Sequence, residues 1–457
     1  MVLCVAAPPP PAWDALLPPQ ARRLPVELAT IDAYLDDERF IAPWRALFSR
    51  RLGRPSVPVP TLLRLLYLKH RYQLGYQTLC REVADSIAWR RFCRIPLDQP
   101  VPHPTTLSKL VGRAGPEVLG ELNAALLAKL AAGKLLRCRK LRIDTTVIEA
   151  DIDHPTDADL LEHAVRTLGG LARRIRGRGA ATRTAYRNRS RAAGRRLKQI
   201  SRTLRRRTGQ APAEIDRLTA EVAAIARLTV TQAEQVARNA RRALAKRPGD
   251  GRPGRLVGRL EETTAATRRL LAQARQRLSG NRVIPDRLVS VADPDARPIR
   301  KGKPQRPTEF GYTVLVGECE RGFIAVCHTH KGNPGDAAQL VPAVTEVIAL
   351  TGRPPGTVVG DRGFGTAAND IALAALGVQR IGVARKGTPG KARAAVERTR
   401  RFKRMRNWRV GIEARISHLK RSFGLRRTRL RRLAGATIWV GLGIFAYNLQ
   451  RLTVITG

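Results

Sequence analysis

A chain of 457 residues is long enough for a catalytic core with one or two accessory modules, and a single compact domain of ordinary size is not expected. Its 84 Lys and Arg stand against 37 Asp and Glu, a formal net charge of +47 that exceeds what solubility requires and suits a polyanionic partner, nucleic acid first. The six cysteines (Cys4, Cys80, Cys93, Cys138, Cys319, Cys327) form no CxxC pair and no Cys-to-His zinc spacing, so they read as reduced thiols in a cytosol.

The opening MVLCVAAPPPPAW lacks the basic region of a secretory signal and runs into prolines, so residues 1–27 are expected to be cytoplasmic and loosely ordered. Residues 28–135 read as helix after helix. Leu62, Leu63, Leu65, Leu66 and Leu68 follow an opening at Pro60-Thr61, Leu79, Val83 and Ile87 recur at fourfold spacing between Gln77 and Phe92, and Pro104 begins a further helix. A helix-turn-helix DNA reader could be built from these, and so could a packing domain that enters no groove.

From Cys138 the texture turns to strand, with Leu141 and Ile143, then Val147 and Ile148 after a short break, and Asp144 interrupting the apolar run. Helical rhythm returns near Asp157 through Leu161, Val165, Leu168 and Leu171, and residues 171–210 hold fifteen Lys or Arg and no acid. Ile215, Leu218, Val222 and Ile225 keep the rhythm, which resumes after the linker RPGDGRPGR through Leu256, Leu260, Thr267, Leu271, Ala274 and Leu278. Residues 157–284 are therefore expected to form a basic, coiled-coil-like helical insertion whose apolar seam could pair two protomers.

Strand texture resumes at Leu288–Val291, a hairpin is predicted between Phe310 and His330, and NPGDAAQLVPAVTEVIAL predicts a turn and a helix capped by Asp336. TVVGDRGFG predicts a short buried strand ending at Asp361, followed by a helix (Ala367 to Leu376), a strand (Arg380 to Ala384) and a helix around Glu413. This order predicts an α/β core, a mixed sheet covered by helices, assembled from 136–156 and 285–430. Leu433 to Leu449 falls short of the ~20 apolar residues of a membrane span and reads as a packing helix within 431–457.

Carboxylates at strand ends are costly to bury unless a cation compensates them, which singles out Asp144 and Asp361. A pair of divalent ions would do so, and a hard cation such as Mg²⁺ held by few carboxylates plus phosphate oxygens is suited to phosphodiester chemistry. In NWRVGIEARISHLKRSFGLRRTRLRRL, Arg409, Glu413 and Lys420 are spaced by four and seven, so one helix carries all three along about one face. Glu149, Asp151 and Asp153 with His154 could form a rival acid cluster, a solvated strand face being the simpler account. His328 and His330 have metal-ligand spacing without a nearby third ligand, and His418 could touch DNA or simply sit at the surface. The glycines of GRPGR and GDRGFG lack a phosphate-binding fingerprint, so no nucleotide cofactor is expected.

Three segments together resemble the bacterial insertion-sequence transposases of the DDE type: RIDTTVIEADIDHPTDADLL resembles the family's first-Asp strand, TVVGDRGFG its second, and R-x3-E-x6-K its third-acid helix. The resemblance implies an RNase H-like, retroviral-integrase-like core with a helical N-terminal transposase domain at 28–135 and the basic insertion at 157–284. It also implies Asp144, Asp361 and Glu413 as catalytic and metal-holding acids for Mg²⁺, with Mn²⁺ able to substitute. Arg409 and Lys420 would then contact DNA. Arg406 stands where the fuller signature has Tyr, which leaves the excision route open. The expected activity is cleavage of the element's ends and joining of the 3′ hydroxyls to target DNA, by a homodimer on paired inverted repeats at the nucleoid, with no membrane partner. The alternatives are an RNase H-like nuclease without strand transfer and an inactive DNA-binding relic; an RNA-coating protein would explain the charge but not the spaced acids.

Overall fold

The computed structural model describes residues 3, 17–49, 53–206, 209–246, 251–281, 283–300 and 307–457. Most of the segment expected to be loosely ordered (residues 1–2 and 4–16, with Cys4) lies outside them, as do residues 247–250 of the Pro/Gly linker. The chain forms two compact units, one from 1–151 and 312–457, the other from 152–311.

The first unit opens with helices Pro19–Arg22 (α1), Val26–Leu35 (α2), Val59–Arg71 (α3), Tyr76–Asp85 (α4), Ile87–Phe92 (α5) and Pro104–Ala132 (α6). Nearly every side chain of α3 is buried, including Arg64, which is fully enclosed. That charge is tolerated because its Nε lies 2.6 Å from Asp32 Oδ1 while its other nitrogens donate to the carbonyls of Pro60 and Asp32. The helix predicted across Gln77–Phe92 is in fact two: Ser86 breaks it, its hydroxyl accepting from Trp89 N to cap α5. Within α6, Gly115 takes φ +71° just ahead of Pro116, where the proline ring interrupts the helical bonding. Strand Lys140–Glu149 (β1) then runs unbroken through the position where a short break was expected.

The second unit is built on helices Asp157–Arg176 (α7), Ser190–Arg206 (α8), Ala211–Ala245 (α9) and Gly251–Leu278 (α10). Thr156 caps α7 by accepting from Asp159 N. Leu168 and Ile175 of α7, Val230 and Val236 of α9 and Leu260 of α10 share one dry seam, so the apolar rhythm of the sequence marks the core-facing stripe. Asp157 is buried at the start of α7, bracketed by Arg277 and Arg287, each 2.8 Å away. The strand expected at Leu288–Val291 does not form. Leu288 is buried, but its N–H donates to the Gln273 side chain and its carbonyl accepts from it, which satisfies the backbone without a neighbouring strand. The strand lies instead at Arg297–Arg300 (β2), antiparallel to the first four residues of Thr308–Cys319 (β3).

Back in the first unit, β3 turns through Gly322 (φ +86°) into Ile324–Lys331 (β4). There follow Asp336–Thr351 (α11), Thr357–Gly360 (β5), Ala367–Ala375 (α12), Arg380–Val383 (β6), Lys391–Arg398 (α13), Arg400–Ser422 (α14) and Arg432–Thr456 (α15). The N-cap of α11 is Gly335, not Asp336, which occupies the first helical position. The sheet is six-stranded and mixed: β4 pairs antiparallel with β3, β1 lies between β3 and β5, and β5 runs parallel to both β1 and β6. That order is consistent with the RNase H-like core the sequence led us to expect.

By length and composition α15 could cross a membrane, but most of its apolar window is buried against α2, α3, α6 and β4. Asn448 both donates to the carbonyl of Ile324 and accepts from its N–H, and Tyr447 donates to Gly322 O, so α15 clasps the β3–β4 turn with its buried polar groups satisfied. Cys138 and Cys319, expected as reduced thiols, are joined in a disulfide. Residues 181 apart in sequence meet here because β1 and β3 are neighbours, at a Cα separation of 4.9 Å.

Candidate active site

Register brings the two aspartates together. Ile143 of β1 pairs with Gly360 of β5 as the last match of a parallel ladder, and Asp144 and Asp361 are the next residue on each chain. Strands in a sheet lie about 5 Å apart, so the two backbones leave the ladder side by side. Asp361 Oδ1 accepts from Arg362 N at 2.7 Å, which starts a short turn at Arg362–Phe364, and Asp144 Oδ1 accepts from Thr145 N at 2.7 Å. Asp361 is exposed and Asp144 half-buried.

The third acid comes from α14, which packs across β1, β5 and β6. A buried ionic network seats this helix. Glu318 of β3, fully enclosed, accepts from Arg142 Nε of β1 at 2.8 Å and from Arg415 Nε of α14 at 2.9 Å, while Arg142 Nη1 donates to the carbonyl of Trp408. Gly411 lies beneath that arginine, and a Cβ there would stand 2.1 Å from Arg142 Nη1, so a larger residue would have to displace the guanidinium. So seated, α14 carries Arg409, Glu413 and Lys420. The Arg409 guanidinium spans the acids, 3.8 Å from Asp144 Oδ2 and 3.0 Å from Glu413 Oε1, and its own side chain is largely covered. Lys420 lies half-buried in the last turn.

Two hard carboxylate donors, Asp144 midway along β1 and Asp361 just past the end of the neighbouring β5, open to solvent on one side, suit a divalent cation that keeps part of its water shell. Glu413 faces the same place through Arg409, whose positive charge offsets the two acids it touches. Among the described residues, no group of three or more His, Cys, Asp or Glu is gathered in metal-holding geometry.

Sequence reasoning missed Glu318 and Asp336. The Thr145 hydroxyl donates to Asp336 Oδ1 at 3.1 Å, and a Cβ at Gly363 would meet Asp336 Oδ2 at 2.6 Å, so the start of α11 abuts both aspartate-bearing segments. Nothing local marks Asp336, which resembles any acid in a first helical turn. Glu318 carries a signal in hindsight: it is a lone acid in the apolar run TVLVGEC. Of the rival groups, Glu149 pairs with Arg427 at 3.2 Å, and Asp151 with Arg427 and Arg429 at 3.7 and 3.6 Å. His328 pairs with Glu346 at 2.7 Å, His330 is held below the usual imidazole range by burial and then by His328, and His418 packs against Phe423 and Tyr447.

Comparison with known proteins adds two family matches. Residues 12–113 match a transposase domain family (DUF772) and residues 286–449 a transposase DDE domain family. The second match contains Asp361, Arg409, Glu413 and Lys420, whereas Asp144 lies between the two matched segments. An uncharacterized protein of Rhizobium meliloti, ORF8 in the nfe locus, is 28% identical over 162 residues, covering 32% of this chain and 74% of its own length. No solved structure matches.

Proposed function

Because this chain belongs to the insertion-sequence DDE transposases, we propose that it cuts the ends of its own element and joins the freed 3′ hydroxyls to target DNA. The observation that carries this reading is the adjacency of Asp144 and Asp361 beyond the Ile143–Gly360 pair, with Glu413 held toward them by Arg409. Asp144, Asp361 and Glu413 would hold Mg²⁺, or Mn²⁺ in its place, and the bound metal would supply a Lewis acid for the phosphoryl group and a lowered pKa for the attacking water or hydroxyl.

The protein's own groups set the stage for that chemistry. Asp144 and Asp361 are fixed in backbone position by the β1–β5 ladder, so their separation does not depend on a loop. Glu413 stands on a helix whose seat is the Glu318 network. Arg409 is placed to exchange its carboxylate partners for a phosphate oxygen when DNA arrives, since a planar guanidinium bonds either anion through two donors. Lys420, about three turns beyond Arg409 along α14, extends the cationic track. Arginine contacts of this kind position the backbone without reading sequence, so recognition of the ends falls to other surfaces, for which we propose the helical domain at 28–135. The basic insertion at 157–284 would hold flanking DNA or a second protomer. We place the protein at the nucleoid in the cytoplasm, acting as at least a dimer on paired ends.

The discriminating experiment supplies pre-cleaved element ends bearing 3′ hydroxyls together with a supercoiled target and Mg²⁺. Joined products are expected with native protein and not with Glu413→Ala. Efficient cutting of uncleaved ends with no joining under any metal or salt condition favours a nuclease without strand transfer.

A further inference from the structure

A cavity of about 590 Å³ opens in the first unit between α3, α4 and α15 and the segment leading from α14 into α15. One wall is Lys69, Tyr76 and Trp439, and the other carries Arg426, Arg427 and Arg429. Lys69 is almost completely buried, at 4% exposure, yet among the described residues its Nζ has a single carbonyl acceptor, Leu74 O at 3.2 Å. The rest of its stabilisation comes from two ring faces, Tyr76 at 4.8 Å and Trp439 at 4.5 Å from their centroids. Trp439 is itself fixed by donating from its indole to Gly424 O at 2.8 Å.

Among the described residues, no acid lines this cavity. A buried ammonium is costly without an anion, and aromatic faces offset only part of that cost. Of the arginines opposite, Arg427 pairs with Glu149 and Asp151 and Arg429 with Asp151, outside the lining, which leaves four cations against two acids around the space. Next to Lys69, His70 is buried with no partner for Nε2, and burial, then the charge of Lys69, pushes its imidazole well down, so it adds no positive charge of its own. The volume fits a phosphate with the nucleoside that bears it.

We infer that this cavity is a phosphate-binding subsite that takes one nucleotide unit of a DNA strand, its phosphate between Lys69 and the Arg426–Arg429 segment and its apolar part against Tyr76 and Trp439. The inference rests on the DNA-cutting reading for the identity of the strand, not for the chemistry of the pocket. The arginine segment is tied to the far end of β1, where Glu149 N donates to Arg426 O and Thr428 N donates to Glu149 O. Glu149 lies five residues beyond Asp144, about 16 Å along the strand. The nucleotide held there is thus set back from the bond to be cut, and the pocket acts as a clamp at a distance from the reacting phosphate.

Equilibrium binding of full-length protein to a labelled duplex, followed across salt concentrations, tests this directly. Each lost phosphate contact lowers the slope of log affinity against log salt by about 0.9. Arg429→Ala, at a largely exposed position, and Lys69→Met should each weaken binding roughly tenfold and flatten the slope by about one contact. A purely structural role for Lys69 would weaken binding with the native slope, and native affinity and slope in Arg429→Ala would overturn the assignment whether or not the Lys69 variant folds. Competition with a deoxynucleoside monophosphate separates the sources: displacement of the mononucleotide by DNA is expected in native protein, whereas mononucleotide binding that DNA leaves untouched would transfer the pocket to a free nucleotide. DNA cutting by native protein is scored separately, so its failure bears on the proposed function and leaves the slope measurement standing.

Discussion

Arg409 and Lys69 are cations in unlike settings, and their loss should read differently. Arg409 touches two of the proposed acids, so Arg409→Ala removes charge compensation between Asp144 and Glu413 and a phosphate donor at once. We expect cleavage to fall roughly 10²-fold, with little change in thermal denaturation, because the largely covered guanidinium makes its contacts with the site carboxylates Asp144 and Glu413. Lys69 should declare itself through pH. Burial, and secondarily Arg429, pushes its ammonium down to about 8 from an ordinary 10.5. The unfolded chain therefore holds more protons than the folded one between those values, so the penalty is full below about pH 8 and is relieved as pH rises toward 10.5. Tyr76, pushed up to about 12 by burial, and His70, pushed well down by burial, are common to both proteins, so the comparison isolates Lys69. Urea unfolding should show native protein gaining stability from pH 8 to 10 relative to Lys69→Met. Parallel curves would remove Lys69 from the buried-cation role.

At the scale of elements, the site depends on how α14 and the turn after β5 are seated. Glu318→Ala strands Arg142 and Arg415 with no buried carboxylate between them, and breaking such a network typically costs about 3–5 kcal/mol. Loss of cleavage should accompany that destabilisation, since α14 carries both Arg409 and Glu413. Gly365→Ala is a sharper probe of the turn, because its Cβ would fall 1.9 Å from the Ala384 carbonyl oxygen; we expect a loss of about 1–3 kcal/mol in urea unfolding and a displaced Asp361. Much of this layer was legible beforehand. The spacing of Arg409, Glu413 and Lys420 predicts one helix, and α14 spans all three. The short apolar run before Asp361 predicts β5. What escaped the sequence has a common cause: it depends on partners distant in the chain. Leu288 looks like strand because it is apolar, yet Gln273 satisfies its backbone; Cys138 and Cys319 meet only across β1 and β3; Asp336 reaches Thr145 only when α11 is laid on the sheet.

Over the whole molecule, charge and division into units set the behaviour. The second unit, residues 152–311, has its own dry seam and its own buried ion triad, so Asp157→Ala should destabilise it by about 2–3 kcal/mol by leaving Arg277 and Arg287 without their shared acid. An early transition in thermal unfolding that leaves the other unit's transition in place is the expected signature. With a formal charge of +47, DNA affinity should fall steeply with salt even for sequences unrelated to the element's ends. The most direct test of the central claim is Mg²⁺- or Mn²⁺-dependent cleavage of DNA carrying the element's terminal sequences, comparing native protein with Asp361→Ala. Native protein is expected to nick the ends only with metal present, and the variant to bind the same DNA equally well without cutting it. Metal-dependent cutting by Asp361→Ala at the native rate would contradict the account.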